Sequence, residues 1–178
     1  MASTYTPLGI EKMATGENAG TWGTKTNANL DLAEQLLGGF KTVSIAGGAG
    51  TTTLTVADGA LTGTAQARMI EFTGSISGNQ VVTIPLDIEN FYILKNTTSG
   101  AYTVQFKYAS GSGDTFTFAA TNKGTAILFA TANDGTNPDI IQIQTGGDVV
   151  DDTSPQLGGD LDVNGNKIVS TSNGNIEL

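Results

Sequence analysis

From Thr42 to about Thr145 the apolar residues fall in short runs, some alternating with polar residues and some continuous, and clusters of Gly, Ser and Asn separate them. Period-two alternation marks a strand with one buried face, and a short continuous run marks a strand buried on both. Strands are expected near residues 42–46, 51–57, 68–73, 80–85, 91–97, 101–107, 114–119 and 125–131, with a ninth at 139–144. In Ala101-Tyr102-Thr103-Val104-Gln105-Phe106-Lys107 the apolar Tyr102, Val104 and Phe106 share one face. Thr98-Ser99-Gly100 and Asn133-Asp134-Gly135-Thr136 each read as a hairpin connection. The expected fold is therefore mainly β, an antiparallel, jelly-roll-like β-sandwich over residues 42–146.

A different period precedes it, in residues 1–41. Leu30, Ala33 and Leu37 recur at i, i+3 and i+7 with Leu36 widening the stripe, which predicts a short helix over about 27–37. Thr26 or Asn27 is placed to cap it, Asp31 and Glu34 are expected near its positive end, and Gly38-Gly39 stops it by accepting a left-handed conformation. So short a helix is marginal alone and needs a partner for its stripe. Upstream, Trp22 stands between Gly20 and Gly23, in an exposed or docked loop.

Beyond Gly146-Gly147 the apolar residues thin out, and Asp148, Asp151, Asp152, Asp160 and Asp162 precede the next basic residue, Lys167. Residues 147–178 read as a linker and extended segment. Leu157, Leu161, Val163 and Ile168 are too sparse for a core within one chain and are candidate contacts between chains.

Composition narrows the chemistry. Charged residues make up 14% of the chain, against roughly 25% in ordinary soluble domains, and 24 Gly take up much of the difference. With no Cys and no His, thiolate nucleophiles, imidazole bases and the usual zinc ligands are gone, so no enzyme activity and no cofactor are expected. Seventeen acidic residues against 8 basic ones give a net charge of −9, which repels a phosphate backbone on average and argues against nucleic acid. No apolar stretch approaches the roughly 20 residues of a membrane span, and Met1-Ala2-Ser3-Thr4-Tyr5 lacks the pattern of a secretory signal. A soluble product of the cytoplasm, not inserted in a membrane, is expected.

Three segments carry a resemblance. Thr15-Gly16-Glu17-Asn18-Ala19-Gly20-Thr21-Trp22-Gly23-Thr24-Lys25-Thr26-Asn27-Ala28-Asn29-Leu30 resembles the opening of bacteriophage tail fibre proteins, where a T-G-E-x-x-G-T-W-G-x-x-T-N-x-N-L run leads into a helix. The middle, from Ile70-Glu71-Phe72-Thr73-Gly74 through Tyr92-Ile93-Leu94-Lys95-Asn96, is similar to a β-module recurring in phage fibres. Asp151-Asp152-Thr153-Ser154-Pro155-Gln156-Leu157-Gly158-Gly159-Asp160-Leu161-Asp162-Val163-Asn164-Gly165 resembles a segment that opens the repetitive fibre shaft. The resemblance implies a virion structural protein, made in the host cytoplasm and located in the tail. Its N-terminal region would attach to a tail adaptor, nozzle or baseplate component. The chain would form a homotrimer through a β-shaft that begins near residue 148, and a distal region beyond Leu178 would bind the host-cell receptor. Trp22, Leu30, Ala33 and Leu37 are then the candidate attachment contacts, the alternative for Trp22 being ordinary core that caps the end of the β-sandwich.

Competing motifs are weaker. Asp160-x-Asp162-x-Asn164-Gly165 begins like an EF-hand loop, but Thr171 stands where a bidentate Glu is required, so a turn is the expectation. Gly47-Gly48-Ala49-Gly50 and Gly111-Ser112-Gly113 lack a following Lys-Ser/Thr and read as turns rather than phosphate loops. Asn96-Thr97-Thr98 matches a glycosylation acceptor only formally. Glu71, Asp87 and Glu89 are possible members of a hydrolytic carboxylate pair, with nothing in their spacing to mark them. The rival function is a carbohydrate-binding module, adhesin or lectin-like, presenting Tyr92, Tyr102 and Tyr108 to sugars. A depolymerase activity belongs, if anywhere, to the distal region.

Overall fold

A computed structural model describes residues 2–121 and 123–143. The expected shaft, with Leu157, Leu161, Val163, Ile168 and the Asp160 motif, lies outside the described residues, as do the last residues of the expected sandwich.

Strands β1 (Thr4–Tyr5) and β2 (Glu11–Lys12) form a small hairpin that leads to helix α1 (Trp22–Gly38). Nine strands follow: β3 (Phe40–Ser44), β4 (Gly50–Thr53), β5 (Met69–Thr73), β6 (Gln80–Ile84), β7 (Asn90–Asn96), β8 (Val104–Tyr108), β9 (Phe116–Phe118), β10 (Gly124–Ala130) and β11 (Ile140–Gln142). Each falls on an expected strand to within a few residues. The two strands of the first hairpin are too short to produce a pattern.

The pairing differs from the antiparallel, jelly-roll-like expectation. The sheets are mixed, one ordered β11-β10-β7-β5-β3 and the other β4-β6-β8-β9. β3, β5 and β7 run parallel in the first sheet, and β4, β6 and β8 run parallel in the second. The chain thus crosses from one sheet to the other and back three times, and residues 40–53, 69–84 and 90–108 form three stacked coils. β9 and β10 then add antiparallel to β8 and β7, and β11 adds antiparallel to β10.

The coils turn at corners that stack on one another. Gly47 N–H donates to the Ser75 carbonyl, Ser77 N–H to Gly47, Ile76 N–H to Ser99 and Ser99 N–H to Gly74. Thr98-Ser99-Gly100 is therefore a corner between sheets and not a hairpin, because its backbone groups serve the coil beneath. The loop containing Asn133-Asp134-Gly135-Thr136 does join an antiparallel pair, β10 and β11. Gln80 fastens the first two corners by donating to Gly48 O at 2.5 Å and to Gly78 O at 3.2 Å. Lys123 fastens the third, its Nζ donating to Thr98 O, Thr98 Oγ1 and Gly100 O.

Alternate residues of both sheets point into one core. β7 contributes Tyr92 and Leu94, β5 Ile70 and Phe72, β6 Val82 and Ile84, and β8 Val104, Phe106 and Tyr108. Each large side chain stabilises by roughly 1.5–3 kcal/mol on burial. Tyr92 meets Phe106 of the other sheet edge to face, 5.7 Å between ring centres, so the two layers share this core. The expected alternation in β8 begins at Val104 and ends on Tyr108, while Tyr102 lies outside the strand and is exposed.

Candidate docking face on the N-terminal helix

Residues 22–27 contain Gly23, Thr24, Thr26 and Asn27, all poor helix formers, so the pattern alone places the helix start later than Trp22. Tertiary contacts hold this first part. The preceding turn uses left-handed backbone at Gly16, Asn18 and Gly20 (φ 84°, 60° and 80°), and Thr21 N–H and Oγ1 both donate to Asn18 O. Among the described residues no side chain caps the helix, and neither Thr26 nor Asn27 stands at its start. Asp31 and Glu34 accordingly fall in the middle of α1, away from the positive end of its dipole. The helix does stop at Gly38-Gly39, for a reason other than handedness. Gly39 is extended (φ −70°, ψ 152°), and a Cβ there would lie 2.5 Å from the Gln35 carbonyl oxygen.

Glu11 is the anchor. Its main chain, turned away from β1, donates to Asn29 Oδ1 and accepts from Asn29 Nδ2, both at 2.9 Å. Its carboxylate meets Lys25 Nζ at 3.1 Å and accepts from Asn18 Nδ2 at 3.3 Å. The Lys25 ammonium holds the Glu11 carboxyl below the usual carboxylate range, against the opposing effect of burial, and Glu11 in turn raises Lys25. At the other end of α1, Gln35 Nε2 donates to Gln66 O at 2.8 Å. Gln66 is fully buried, donates to Leu8 O and Ala57 O, and accepts from Ala57 N–H. Helix, N-terminal segment and the 54–68 connection are thereby tied together. Buried polar anchors leave no trace in apolar periodicity, so neither Glu11 nor Gln66 stands out in the sequence.

At 100° per residue, Leu32, Leu36, Lys25 and Asn29 share one side of the helix, where Lys25 and Asn29 meet Glu11 and Leu32 and Leu36 are buried. The expected stripe of Leu30, Ala33 and Leu37, with Leu36 widening it, is split. Leu36 turns inward, while Leu30 and Leu37 stay outside at 62% and 74% exposure and Ala33 is half-buried. Trp22, 66% exposed, joins them, and all four fall within an arc of about 80°. The stripe runs about 22 Å from Trp22 to Leu37 at 1.5 Å per residue. It is an apolar face on a helix whose adjacent side is fixed by polar contacts.

The other candidate groups are engaged elsewhere. Tyr92 Oη donates to Ala65 O and Tyr108 Oη to Ile88 O, each at 2.8 Å, and both rings are interior. Burial raises both phenols, and Tyr102 alone of the three is open to a sugar. Glu71 pairs with Lys95 at 3.0 Å, which lowers its carboxyl, and accepts from Thr97 Oγ1. Asp87 and Glu89 are exposed in the 85–89 connection. Asn96 is buried, its Oδ1 bonded by Thr98 N–H and Oγ1, so it is not presented for modification. Among the described residues no three Asp or Glu side chains converge to hold a metal, and no helix is long and apolar enough to cross a membrane.

Comparison with family models, curated proteins and solved structures finds no match.

Proposed function

We propose that this chain is the tail-proximal part of a bacteriophage tail fibre, a virion structural protein whose N-terminal helix docks on a tail component. The supporting observation is the apolar stripe Trp22, Leu30, Ala33 and Leu37, exposed on a helix that is immobilised along its neighbouring side by Glu11 and Asn29 and near its end by Gln66. The conspicuous residues of the tail-fibre-like Thr15–Leu30 run divide by role. Gly16, Asn18, Gly20, Thr21 and Asn29 shape the turn and tether the helix, whereas Trp22 and Leu30 have no comparable internal use and are free to face a partner. A large exposed Trp flanked by leucines has the chemistry of an interface hot spot.

In this reading the β unit is a rigid spacer with no catalytic task. Residues 147–178 open a homotrimeric β-shaft through Leu157, Leu161, Val163 and Ile168, and a distal region carries receptor binding. The carbohydrate-binding alternative draws less support, because Tyr92 and Tyr108 are inside the fold. Antiserum against the purified chain, applied to virions released by cells that carry the coding sequence, is expected to decorate the tail. Label confined to the soluble lysate, with bare virions, overturns the proposal.

A further inference from the structure

The stack of coils has one closed end and one open end. At the closed end the two sheets are joined: Ile140 N–H donates to Asp114 O at 2.9 Å, Asp114 N–H to Asp139 Oδ1 at 2.8 Å and Ser112 N–H to Asn137 Oδ1 at 2.9 Å. At the other end the first coil supplies the edge strand of both sheets, β3 in one and β4 in the other. In β3, Met69 N–H donates to Gly39 O and Ile45 N–H to Thr73 O, so alternate residues 39, 41, 43 and 45 face β5. The backbone groups of Phe40, Thr42 and Ser44 then point outward. By the same alternation Gly50, Thr52 and Leu54 face β6, and Thr51 and Thr53 point outward. Among the described residues no strand pairs with this edge, and Thr42, Ser44, Thr51 and Thr53 are exposed.

Edges of this kind are normally blunted with charges, Pro or bulges, since open backbone groups recruit further strands. This one is not. Residues 40–57 contain a single ionisable side chain, Lys41, whose Nζ is occupied by Leu61 O, and no Pro.

We infer that the first-coil edge is a self-association surface and that its occupant is the same edge of a second copy of this chain. Two features select that occupant. The edge spans two layers at once, so a partner that satisfies it must present two strand edges at the spacing of one coil; a single extended peptide satisfies half of it, and this chain presents both. The edge is also nearly neutral in a chain of net charge −9, which makes it a place where two acidic copies meet without repulsion. A two-fold axis through the edge and perpendicular to the sheets sets β3 antiparallel to its own copy and β4 antiparallel to its own copy, so each sheet continues across the contact. The inference does not rest on the fibre reading.

The chain has no cysteine, so single thiols report the geometry cleanly. In an isologous antiparallel pair, residues near the axis lie opposite their own copies, within disulfide reach. Thr42→Cys, Ser44→Cys, Thr51→Cys and Thr53→Cys are made one at a time in the full chain and mildly oxidised. At least one is expected to give a covalent pair at twice the 18.2 kDa chain mass. It should form roughly tenfold or more faster than with Thr117→Cys on β9, whose thiols meet only by collision. Adding Thr53→Pro to Thr42→Cys, or Thr42→Pro to Thr53→Cys, removes an outward N–H without touching the inner ladder and is expected to slow the cross-link to the control rate. Absence of a covalent pair from all four variants, the result if residues 145–178 or another protein fill the edge, overturns the inference. So does cross-linking no faster than the Thr117→Cys control.

Discussion

The side-chain amide of Asn29 bonds the main chain of Glu11 in both directions, acting on the free side of β2 as a further strand would. One residue of the helix thereby substitutes for a strand neighbour and fixes α1 to the N-terminal hairpin. Asn29→Ala leaves a partly buried N–H and C=O without partners, and each costs about 1–3 kcal/mol. The loss should stay local. Hydrogen exchange is expected to speed up through residues 25–36 while amides of β5 and β7 keep their protection, and uniform loss of protection would mean that the helix is integral to the core.

The same anchor sets a pH window. Glu11 has its pKa lowered below 4.5 in the folded chain, so its stabilising contribution is present above the unfolded value and is lost as pH falls through the folded one. Lys25 has its pKa raised above 10.5, so its contribution is present below that value and is lost as pH rises through the folded one. Trp22 fluorescence is expected to report helix release at acid and at strongly alkaline pH with a plateau between. In Glu11→Gln the acid transition should lose the component assigned to this carboxylate, and an unchanged acid limb would place the sensitive group elsewhere.

How far the fold can be read from the sequence follows from which contacts hold it. Strands β5, β7, β8 and β10 bury alternate side chains, so Tyr92 and Leu94 or Val104 and Phe106 announce them. Their pairing is set by the path of the chain between sheets, and there the repeat is disguised. Phe40 aligns with Met69 and Met69 with Ile93, but the 54–68 connection makes the first interval longer than the second, so no fixed period appears. A Gly-Ser corner therefore looks like a hairpin turn. On the helix, Leu30, Ala33 and Leu37 were visible as a stripe and their spacing was right. Which side faced the protein was decided by Lys25, Asn29 and Gln35, whose polar partners come from elsewhere in the chain.

Corner stacking carries its own test. Gly100 has φ 97°, and a Cβ on it would lie 2.1 Å from the Ile76 carbonyl oxygen of the coil beneath. Both the left-handed backbone and the close approach exclude a side chain, so Gly100→Ala is expected to cost roughly 3 kcal/mol. Gly135, with φ 66° and nothing near its Cβ position, separates the two effects, since Gly135→Ala meets the backbone strain alone. Urea unfolding should rank Gly100→Ala well below Gly135→Ala. Equal losses would show that the corners tolerate contact and that backbone strain is the whole effect.

The docking face is tested by substitutions that leave the fold alone. Trp22 and Leu37 are 66% and 74% exposed, and neither belongs to the anchors of α1, so Trp22→Ala and Leu37→Asp are expected to change stability by no more than about 0.5 kcal/mol. If the stripe seats in a tail component, removing a buried Trp from the interface costs about 2 kcal/mol or more, a loss of roughly 30-fold in affinity. Co-sedimentation of the chain with fibreless tails reads this directly. Leu37→Asp should weaken it further by placing a charge in an apolar seat. Asp31→Asn, on the polar side of the same helix, should have little effect. Undiminished binding by the Trp22→Ala, Leu37→Asp double variant would move the attachment site off the helix, and the β unit would then have to supply it.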